Sequence, residues 1–312
     1  MALGTNGFTG GNGGDLTVDI PQIWGQDIND YFRYDLKLAA FFIDRSDELV
    51  GGGSTVFTPN LSALSTNTKT VNTQVTLSSP EYTKVTLDVS TWKEASFVIE
   101  DREKAQIKQS YYIQKKIAKG GAWEVAQELE DAIAALFTGF TTNVVGLGTA
   151  NLADSSLLAA ISLLEAQGTP VYEDTAWILH PNTFYRQVGS IDKFTLWQNT
   201  KSEEPRTKSP TPMLYGIPVI VSPAVPVGTG AVGDNGARLN LLAHNDAIHW
   251  ARLSMPVSAA SGMVGTEGVR VQQSYVHEYL GDLVTIDLCF GVVENRDDAA
   301  VKMRSHSVAV GL

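Results

Sequence analysis

The chain has 312 residues with 34 acidic and 23 basic side chains, so its formal net charge at pH 7 is −11. A hydrophobic fraction of 43% with 11 Phe, 10 Tyr and 6 Trp excludes a wholly disordered chain, and the length allows about two domains or one elaborated domain. The acidity argues against sequence-specific DNA binding, which needs a basic surface.

Small and neutral polar residues take the place of charged ones, which make up only 18% of the chain. Such a surface is easier to bury against a partner than one of Lys and Glu, although ordinary compositional variation also explains it. The single cysteine, Cys289, excludes an internal disulfide and a thiolate metal cluster. No secretory pattern is visible, and Gly or Pro breaks the long uncharged stretches 132–153 and 209–233, so we expect a soluble chain without a membrane partner.

The N-terminal segment is predicted to form a helix after a Gly- and Asn-rich tail. Pro21 suits the first turn of a helix, and apolar side chains then recur at helical spacing, among them Trp24, Tyr31 and Phe32. Such a helix either packs on the core of its own chain or forms an arm over a neighbouring subunit. The residues of this segment leave both interpretations open.

The region after Gly51-Gly52-Gly53 is predicted to form two strands that do not close a compact unit. Apolar and polar residues alternate from Val71 to Leu77 and again from Val85 to Val89. Because two strands with one thin apolar stripe are marginally stable alone, this hairpin needs another surface to lie on. Either a neighbouring domain or a neighbouring chain would supply it.

The strongest helical pattern follows an apolar run that ends at Ile99. Acidic residues lead it, and apolar residues recur every three or four positions as far as Leu136, a span of about 37 residues or about 55 Å. Gly120 and Gly121 lie in its middle and mark either a corner between two helices or a bend in one long helix. The lysines along its first half form either a solvated face or a contact with an acidic neighbour.

The remaining residues predict one more helix and several strands. Asp154 is expected to cap a helix that ends at Gly168. An antiparallel hairpin is expected at the end of the chain, around the turn 280–282. The predicted strands cover 176–180, 217–221, 239–243, 269–277 and 283–293.

No motif gives a credible active site. Gly228-Thr229-Gly230-Ala231-Val232-Gly233 matches a dinucleotide-binding fingerprint, but Asp234-Asn235-Gly236 follows it in place of a helix N-terminus. His244 and His249 are five residues apart and share no face of a helix or strand, which argues against zinc. The pair Glu128 and Asp131 has a spacing that is common on helix surfaces. We therefore predict no catalytic, cofactor-binding or metal-binding residue.

The order of these segments resembles the major capsid proteins of tailed bacteriophages, which have the Hong Kong ninety-seven capsid fold. Pro21-Gln22-Ile23-Trp24 is similar to the arm of the short-tailed phage branch, and Phe97-Val98-Ile99-Glu100-Asp101-Arg102 to the start of the spine helix. Gly216-Ile217-Pro218-Val219-Ile220-Val221-Ser222 and His244-Asn245-Asp246-Ala247-Ile248 resemble segments of the axial domain. Leu280-Gly281-Asp282-Leu283-Val284-Thr285 resembles the closing hairpin of the peripheral domain.

The resemblance implies an α+β phage major capsid fold with an N-terminal arm, an extended β-hairpin loop, a long bent spine helix, a peripheral domain and an axial domain. In that fold the extended loop lies on the adjacent subunit. The implied boundaries are 1–45 for the arm, 46–95 for the extended loop, 96–175 for the peripheral domain with the spine helix, 176–268 for the axial domain and 269–312 for the closing peripheral hairpin.

The implied function is that of a major capsid protein, not an enzyme, that self-assembles through pentamers and hexamers into an icosahedral shell around double-stranded phage DNA. Many modest contacts per chain would stabilise such a shell. Gly120 and Gly121 are expected to act as a hinge when the shell expands. The residues expected at subunit contacts are Trp24, Tyr31, Phe32, Val71, Val75, Val85 and Leu87.

The implied partners are further copies of the chain, a scaffolding protein, a portal and DNA held without sequence specificity, with a decoration protein as another candidate. No cofactor is implied, and the expected location is the virion, assembled in the bacterial host cytoplasm. An acidic inner wall would not adsorb the packaged DNA. An encapsulin-type nanocompartment shares the fold and is the alternative, while a hydrolase with an unrecognised site and a β-rich adhesin are rivals from other classes.

Overall fold

A computed structural model describes residues 36–50, 52–61, 64, 66–77, 79–106, 110–191, 213–229, 233–256, 263–264 and 269–307. The helices are α1 (Leu38–Phe41), α2 (Asp101–Gln106), α3 (Ser110–Ala135) and α4 (Asp154–Ala166). The strands are β1 (Ile43–Asp44), β2 (Thr55–Leu61), β3 (Tyr82–Asp88), β4 (Thr91–Glu100), β5 (Val144–Val145), β6 (Thr175–Leu179), β7 (Met213–Leu214), β8 (Ile217–Val221), β9 (Ala237–His244), β10 (Ile248–Leu253), β11 (Met263–Val264), β12 (Arg270–Val276), β13 (Gly281–Glu294) and β14 (Ala300–His306). The mixture of helices and mainly antiparallel sheets confirms the α+β class.

The first sheet is built around β13, a strand of 14 residues. Its strands follow the order β1-β10-β13-β12-β11. β4 pairs with the edge of β13 that faces away from β10 and β12. The predicted closing hairpin is confirmed as β12 and β13, but the turn predicted at 280–282 is wrong, since Gly281 and Asp282 already pair with Val276 and Tyr275. Its turn is 277–280, closed by a hydrogen bond from the Leu280 N–H to the His277 carbonyl at 3.4 Å, and Leu280 adopts a positive φ of 45°.

The second sheet has the order β5-β14-β9-β6-β8-β7 among the described strands. The predicted strands over 176–180, 217–221 and 239–243 are confirmed as β6, β8 and β9. Two strands cross the expected domain boundaries. β10, from the expected axial segment, pairs with β13, and β14, from the expected closing segment, pairs with β9. The division of the chain into five segments therefore stays a prediction.

α3 crosses the first sheet and runs through Gly120 and Gly121 without interruption, so the alternative of a corner between two helices at this point is wrong. A Cβ atom on Gly121 would lie only 2.7 Å from Cδ1 of Ile286 on β13. Gly121 therefore permits the close approach of helix and sheet. Lys93 of β4 adds an ion pair of 2.8 Å with Glu128 of α3.

The largest core cluster joins α3 to both sheets. Ile133 of α3, Ile286 of β13 and Leu241 of β9 are each fully buried in it. A second cluster packs α4 on the other face of the second sheet around Trp177, whose Nε1 donates to the Leu214 carbonyl at 3.1 Å. These two layers fix the frame from which the surface segments project.

The start of α4 differs from the expectation in detail. Asp154 is the first helical residue and not the cap, because Ala153 occupies the N-cap position without a side-chain hydrogen bond. The Asp154 carboxylate instead accepts a hydrogen bond from the Tyr215 hydroxyl. Burial, and after it this hydrogen bond, raises the pKa of Tyr215 to about 12. The acidic side chain thus ties the β7–β8 turn to the helix.

Candidate functional site

β2 and β3 form a two-stranded sheet that stands apart from the other two. Thr55 pairs with Asp88 at its root and Leu61 with Tyr82 at its outer end. The predicted strand from Val71 to Leu77 is wrong, because these residues lie in the loop beyond the paired strands, with a turn at 71–72. The strand that pairs with β3 is β2, whose apolar alternation is interrupted by Pro59 and Asn60.

The root of this hairpin packs on its own chain. Val56 and Leu87 are 5% and 1% exposed and contact Leu49, Ala251 and Cys289 in a third core cluster. The expectation that Leu87 contacts a neighbouring subunit is therefore corrected, since its side chain is already enclosed. A Cβ on Gly291 of β13 would clash with the Asp88 carbonyl, so a glycine is needed where the hairpin meets the first sheet.

The outer part of the hairpin is exposed. Val71 and Val75 are 84% and 63% exposed, and Val85 is half-buried. Large apolar side chains on the same segment are also open to solvent: Phe57, Leu64, Leu77 and Tyr82. An apolar surface concentrated in one projecting element is typical of a protein interface. Between the strands, Lys69 Nζ donates to the Thr70 carbonyl at 2.9 Å, which helps to fold the tip.

Residues 38–49, here called the arm root, are held against the body of the chain. Glu130 of α3 is 1% exposed, and its two carboxylate oxygens accept hydrogen bonds from the backbone N–H groups of Leu38 and Ala39, each at 3.0 Å. The indole N–H of Trp250 donates to the Ala39 carbonyl at 3.0 Å. The arm candidates Trp24, Tyr31 and Phe32 lie outside the described residues.

A polar sheet face carries an anchored tryptophan that the sequence reasoning missed. Trp92 of β4 is 61% exposed, yet its Nε1 donates to Oδ2 of the buried Asp287 at 2.8 Å. Arg270 of β12 donates to both oxygens of the same carboxylate, at 2.8 Å from Nε and 2.5 Å from Nη2. Glu94 pairs with Asp287 in register and is exposed.

This face, here called the open face, is defined by Trp92, Glu94, Ser96, Arg270, Gln272 and Thr285. It lies opposite α3, because alternate residues of β4 and β13, such as Ala95 and Ile286, point to the helix. The root of the hairpin covers one end of it near Cys289. The alternation of the polar Glu94 and Ser96 with the apolar Ala95 and Phe97 was the signal available in the sequence.

Polar groups of the kind used in catalysis or metal binding have structural partners in this chain. His180 Nδ1 accepts from the Asn182 N–H at 3.1 Å, and burial, then the charge of Arg238, lowers its pKa to about 4. Asp234, after the glycine motif, is buried and bonded to Lys302 Nζ at 2.9 Å and to Arg304. Among the described residues, no group of three or more His, Cys, Asp or Glu is placed to hold a metal ion.

The helices of the described part of the chain include none that is long and apolar enough to cross a bilayer. The described residues form a packed body of two large sheets with a projecting hairpin, an anchored N-terminal segment and a sheet face on which Trp92, Glu94 and Ser96 are exposed.

Comparisons with known proteins give one family model and several structures of similar fold. A family model described as phage capsid protein matches residues 84–302. The fold is similar to the capsid of cyanophage P-SCSP1u, with a TM-score of 0.69 and 13% identity over 94% of this chain and 95% of the other. It is also similar to a protein of Mycobacterium phage Che8, with a TM-score of 0.69 and 15% identity over 91% of this chain and 96% of the other.

The head structure of Helicobacter pylori bacteriophage KHP40 gives a TM-score of 0.68 at 11% identity, with 95% of this chain and 99% of the other covered. Likeness at such identities shows a shared fold. No curated protein matches the sequence significantly.

Proposed function

The chain belongs to the phage capsid protein family, and we propose that its copies close into an icosahedral shell around double-stranded phage DNA. As a capsid shell protein it is a structural component of the virion with the tailed-phage capsid fold. The nanocompartment alternative is not favoured, since the matching family is described as phage capsid protein and the similar structures named above come from phages. Membership of the short-tailed branch stays a prediction.

The observation that carries this proposal is the projecting hairpin. Its root is packed at Val56 and Leu87, whereas Val71 and Val75 present apolar side chains to solvent. Two paired strands with exposed apolar residues gain stability when a second surface covers them. In a closed shell of identical subunits, a neighbouring copy supplies that surface for every hairpin at once.

The open face is the surface that we propose to receive a neighbour's hairpin. Trp92 offers a large aromatic ring, and the hydrogen bond to Asp287 already fixes its orientation, so little side-chain entropy is lost on contact. Glu94 on this face is acidic, while the hairpin carries Lys69 and Lys84. Opposite charges of this kind favour correct orientation more than they add affinity.

Assembly of the shell would use several surfaces of the chain and further partners. Copies would meet as pentamers and hexamers around the axial segment 176–268, with the arm, the hairpin and the peripheral segments joining neighbours. A scaffolding protein, a portal and a decoration protein are the proposed partners, and assembly would take place in the host cytoplasm. An inner wall rich in acidic residues, consistent with the net charge of −11, would contact DNA without adsorbing its phosphates.

Electron microscopy of the purified full chain tests the shell. We expect closed polyhedral particles of uniform diameter, with nucleic acid inside particles isolated from infected cells. A chain that stays monomeric at high concentration under all conditions would contradict the proposal. Closed particles that contain protein cargo and no DNA would instead support the nanocompartment.

The open face is tested by two substitutions of the same residue. Trp92→Ala removes the aromatic surface, and we expect it to prevent particle formation. Trp92→Phe keeps most of that surface but loses the N–H that donates to Asp287 at 2.8 Å, and we expect it to assemble. Normal particles from Trp92→Ala would remove the open face from the proposal while leaving the shell itself intact.

A further inference from the structure

The arm root is attached to β10 by a row of backbone contacts. Ile43 and Asp44 pair in parallel with His249 and Trp250. The Arg45 N–H donates to the Trp250 carbonyl at 2.8 Å. In the other direction, the Arg252 N–H donates to Ser46 Oγ at 2.9 Å. Opening this segment would therefore break a short parallel ladder at one edge of the first sheet.

His249 lies at the centre of this contact and is 1% exposed. Its Nε2 lies 2.9 Å from Oδ1 of Asp246, which defines the tautomer with the proton on Nε2, because a carboxylate oxygen only accepts. The other ring nitrogen, Nδ1, is buried and has no hydrogen-bond partner among the residues that the structure describes. The Nε of Arg45, on the arm root itself, is also buried, and the described part of the chain offers it no acceptor.

The charged groups around His249 come from three segments. Asp246 lies on the turn before β10, and Arg45 and Glu48 lie on the arm root. Arg296, which follows β13, lies 3.9 Å from the Asp246 carboxylate. Burial and the positive charge of Arg45 lower the pKa of His249, while Asp246 and Glu48 act in the opposite direction. The attached arm root therefore favours a neutral imidazole.

We propose that His249 is an acid-sensitive latch, whose protonation releases the arm root from β10. A proton added to Nδ1 would create a buried N–H without an acceptor and a second cation beside Arg45. Release of the arm root removes both penalties, the unsatisfied N–H and the second buried cation, because water then solvates the imidazolium. The consequence for a shell, an arm made available to a neighbour, rests on the proposed function, whereas the latch itself is a property of the single chain.

The direction of the pH dependence follows from linkage. The pKa of His249 lies below the ordinary imidazole value of about 6.5 while the arm root is attached, and exposure to water on release would restore that value, so attachment is fully favourable above about pH 6.5. Below that value it weakens by up to about tenfold per pH unit, until the attached-state pKa is reached. Glu130 has the opposite sign, since burial raises its pKa and acid therefore favours its buried form.

Hydrogen–deuterium exchange of the unassembled full chain tests the latch. We expect the protection of the Arg45 and Arg252 amides, corrected for intrinsic exchange, to fall by up to about tenfold between pH 7.5 and pH 5.5. The variant His249→Asn cannot take up this proton and should lose the pH dependence. His277→Asn, which replaces an exposed histidine on the β12–β13 turn, should keep it.

A second variant covers a failure of His249→Asn to fold. Arg45→Gln removes the neighbouring cation, and we expect a smaller loss of protection at pH 5.5 than in the unchanged chain. Equal losses in the unchanged chain, Arg45→Gln and any folded His249→Asn, or no loss in the unchanged chain, would overturn the latch. Because exchange is measured before assembly, such a result leaves the shell proposal to be judged separately by electron microscopy.

Discussion

The Glu130 carboxylate accepts a hydrogen bond from the backbone N–H of Leu38 at 3.0 Å, across 92 residues of sequence. Its second oxygen accepts from Ala39, also at 3.0 Å. One buried side chain of the long helix thereby satisfies the first backbone donors of α1, which the short helix cannot satisfy itself. The arm root is thus fixed to the helix that supports the first sheet.

Glu130→Ala is expected to destabilise the subunit by about 2–4 kcal/mol, because it leaves two buried N–H groups without acceptors. Urea unfolding of the unassembled chain measures this change. In the unchanged chain the raised pKa of Glu130 means that the folded state binds the proton more tightly than the unfolded state.

That contribution to stability therefore increases as the pH falls through the raised pKa towards about 4.5, and it decreases as the pH rises. Glu130→Gln is the control for titration, since it removes the ionisable group and keeps one oxygen as acceptor, although its NH2 group cannot accept from the second backbone N–H. The same pH dependence in this variant would show that Glu130 is not its source.

Gly121→Ala is expected to lower the free energy of unfolding by about 1–2 kcal/mol, because the new methyl group overpacks against Ile286. Its Cβ would lie 2.7 Å from Ile286 Cδ1, and Ile286 is fully buried. Adding Ile286→Val removes the clashing atom, so the double variant should be more stable than additivity predicts. Strict additivity in urea unfolding would mean that Gly121 does not serve this contact.

The same glycines test the hinge prediction. Replacing both Gly120 and Gly121 with Ala is expected to hinder shell expansion, which cryo-electron microscopy of purified particles would follow. Adding Ile286→Val separates the two effects, since it relieves the packing clash but does not restore backbone freedom. Normal expansion of shells in which both glycines are replaced by Ala would contradict a hinge at this point.

Val71→Asp combined with Val75→Asp is expected to prevent particle formation while changing subunit stability by less than about 0.5 kcal/mol. Both side chains are exposed, at 84% and 63%, so the free subunit loses little buried surface. Leu87→Ala in the same hairpin is the contrasting variant. Because Leu87 is 1% exposed, we expect its loss to destabilise the subunit by about 2–3 kcal/mol.

Size-exclusion chromatography and urea unfolding distinguish these outcomes. Particles that form normally from the double aspartate variant would show that the hairpin tip does not contact a neighbour.

Asp234→Asn is expected to destabilise the subunit by about 3–5 kcal/mol, since it leaves the fully buried Lys302 ammonium without its carboxylate partner. Burial alone would raise the pKa of Asp234, but hydrogen bonds from Lys302 and Arg304 outweigh it and hold the pKa below 3.8. The ion cluster therefore stabilises the chain above that pH and is lost as the pH falls through the lowered value.

Acid unfolding followed by circular dichroism measures this effect. Asp298→Asn is the control, because the pair of Asp298 with Arg296 is 41% and 46% exposed and should change stability by less than about 0.5 kcal/mol. Equal effects of the two variants would show that burial does not strengthen the Asp234 cluster.

The sequence alone determined those helices and strands whose hydrophobic periodicity is visible in their own residues. The helical spacing over α3 (Ser110–Ala135), the alternation over 283–293 and the apolar runs of β6 and β8 all match the structure. Each of these patterns marks the side of a helix or strand that packs on a core. Core-facing residues recur about every 3.6 positions in a helix and every 2 positions in a strand, whichever element they pack against. The order of these elements was enough to indicate the capsid fold.

Tertiary pairing decided what the patterns could not. Alternation from Val71 to Leu77 predicted a strand, but β3 pairs with β2, and register between strands depends on both partners. Leu87 proved enclosed because the hairpin root folds back onto β13, and the Trp92–Asp287 contact joins residues 195 apart. Burial and long-range hydrogen bonds are properties of the folded chain. Only the tertiary structure therefore distinguishes an apolar residue that fills a core from one that is exposed and available to a neighbouring subunit.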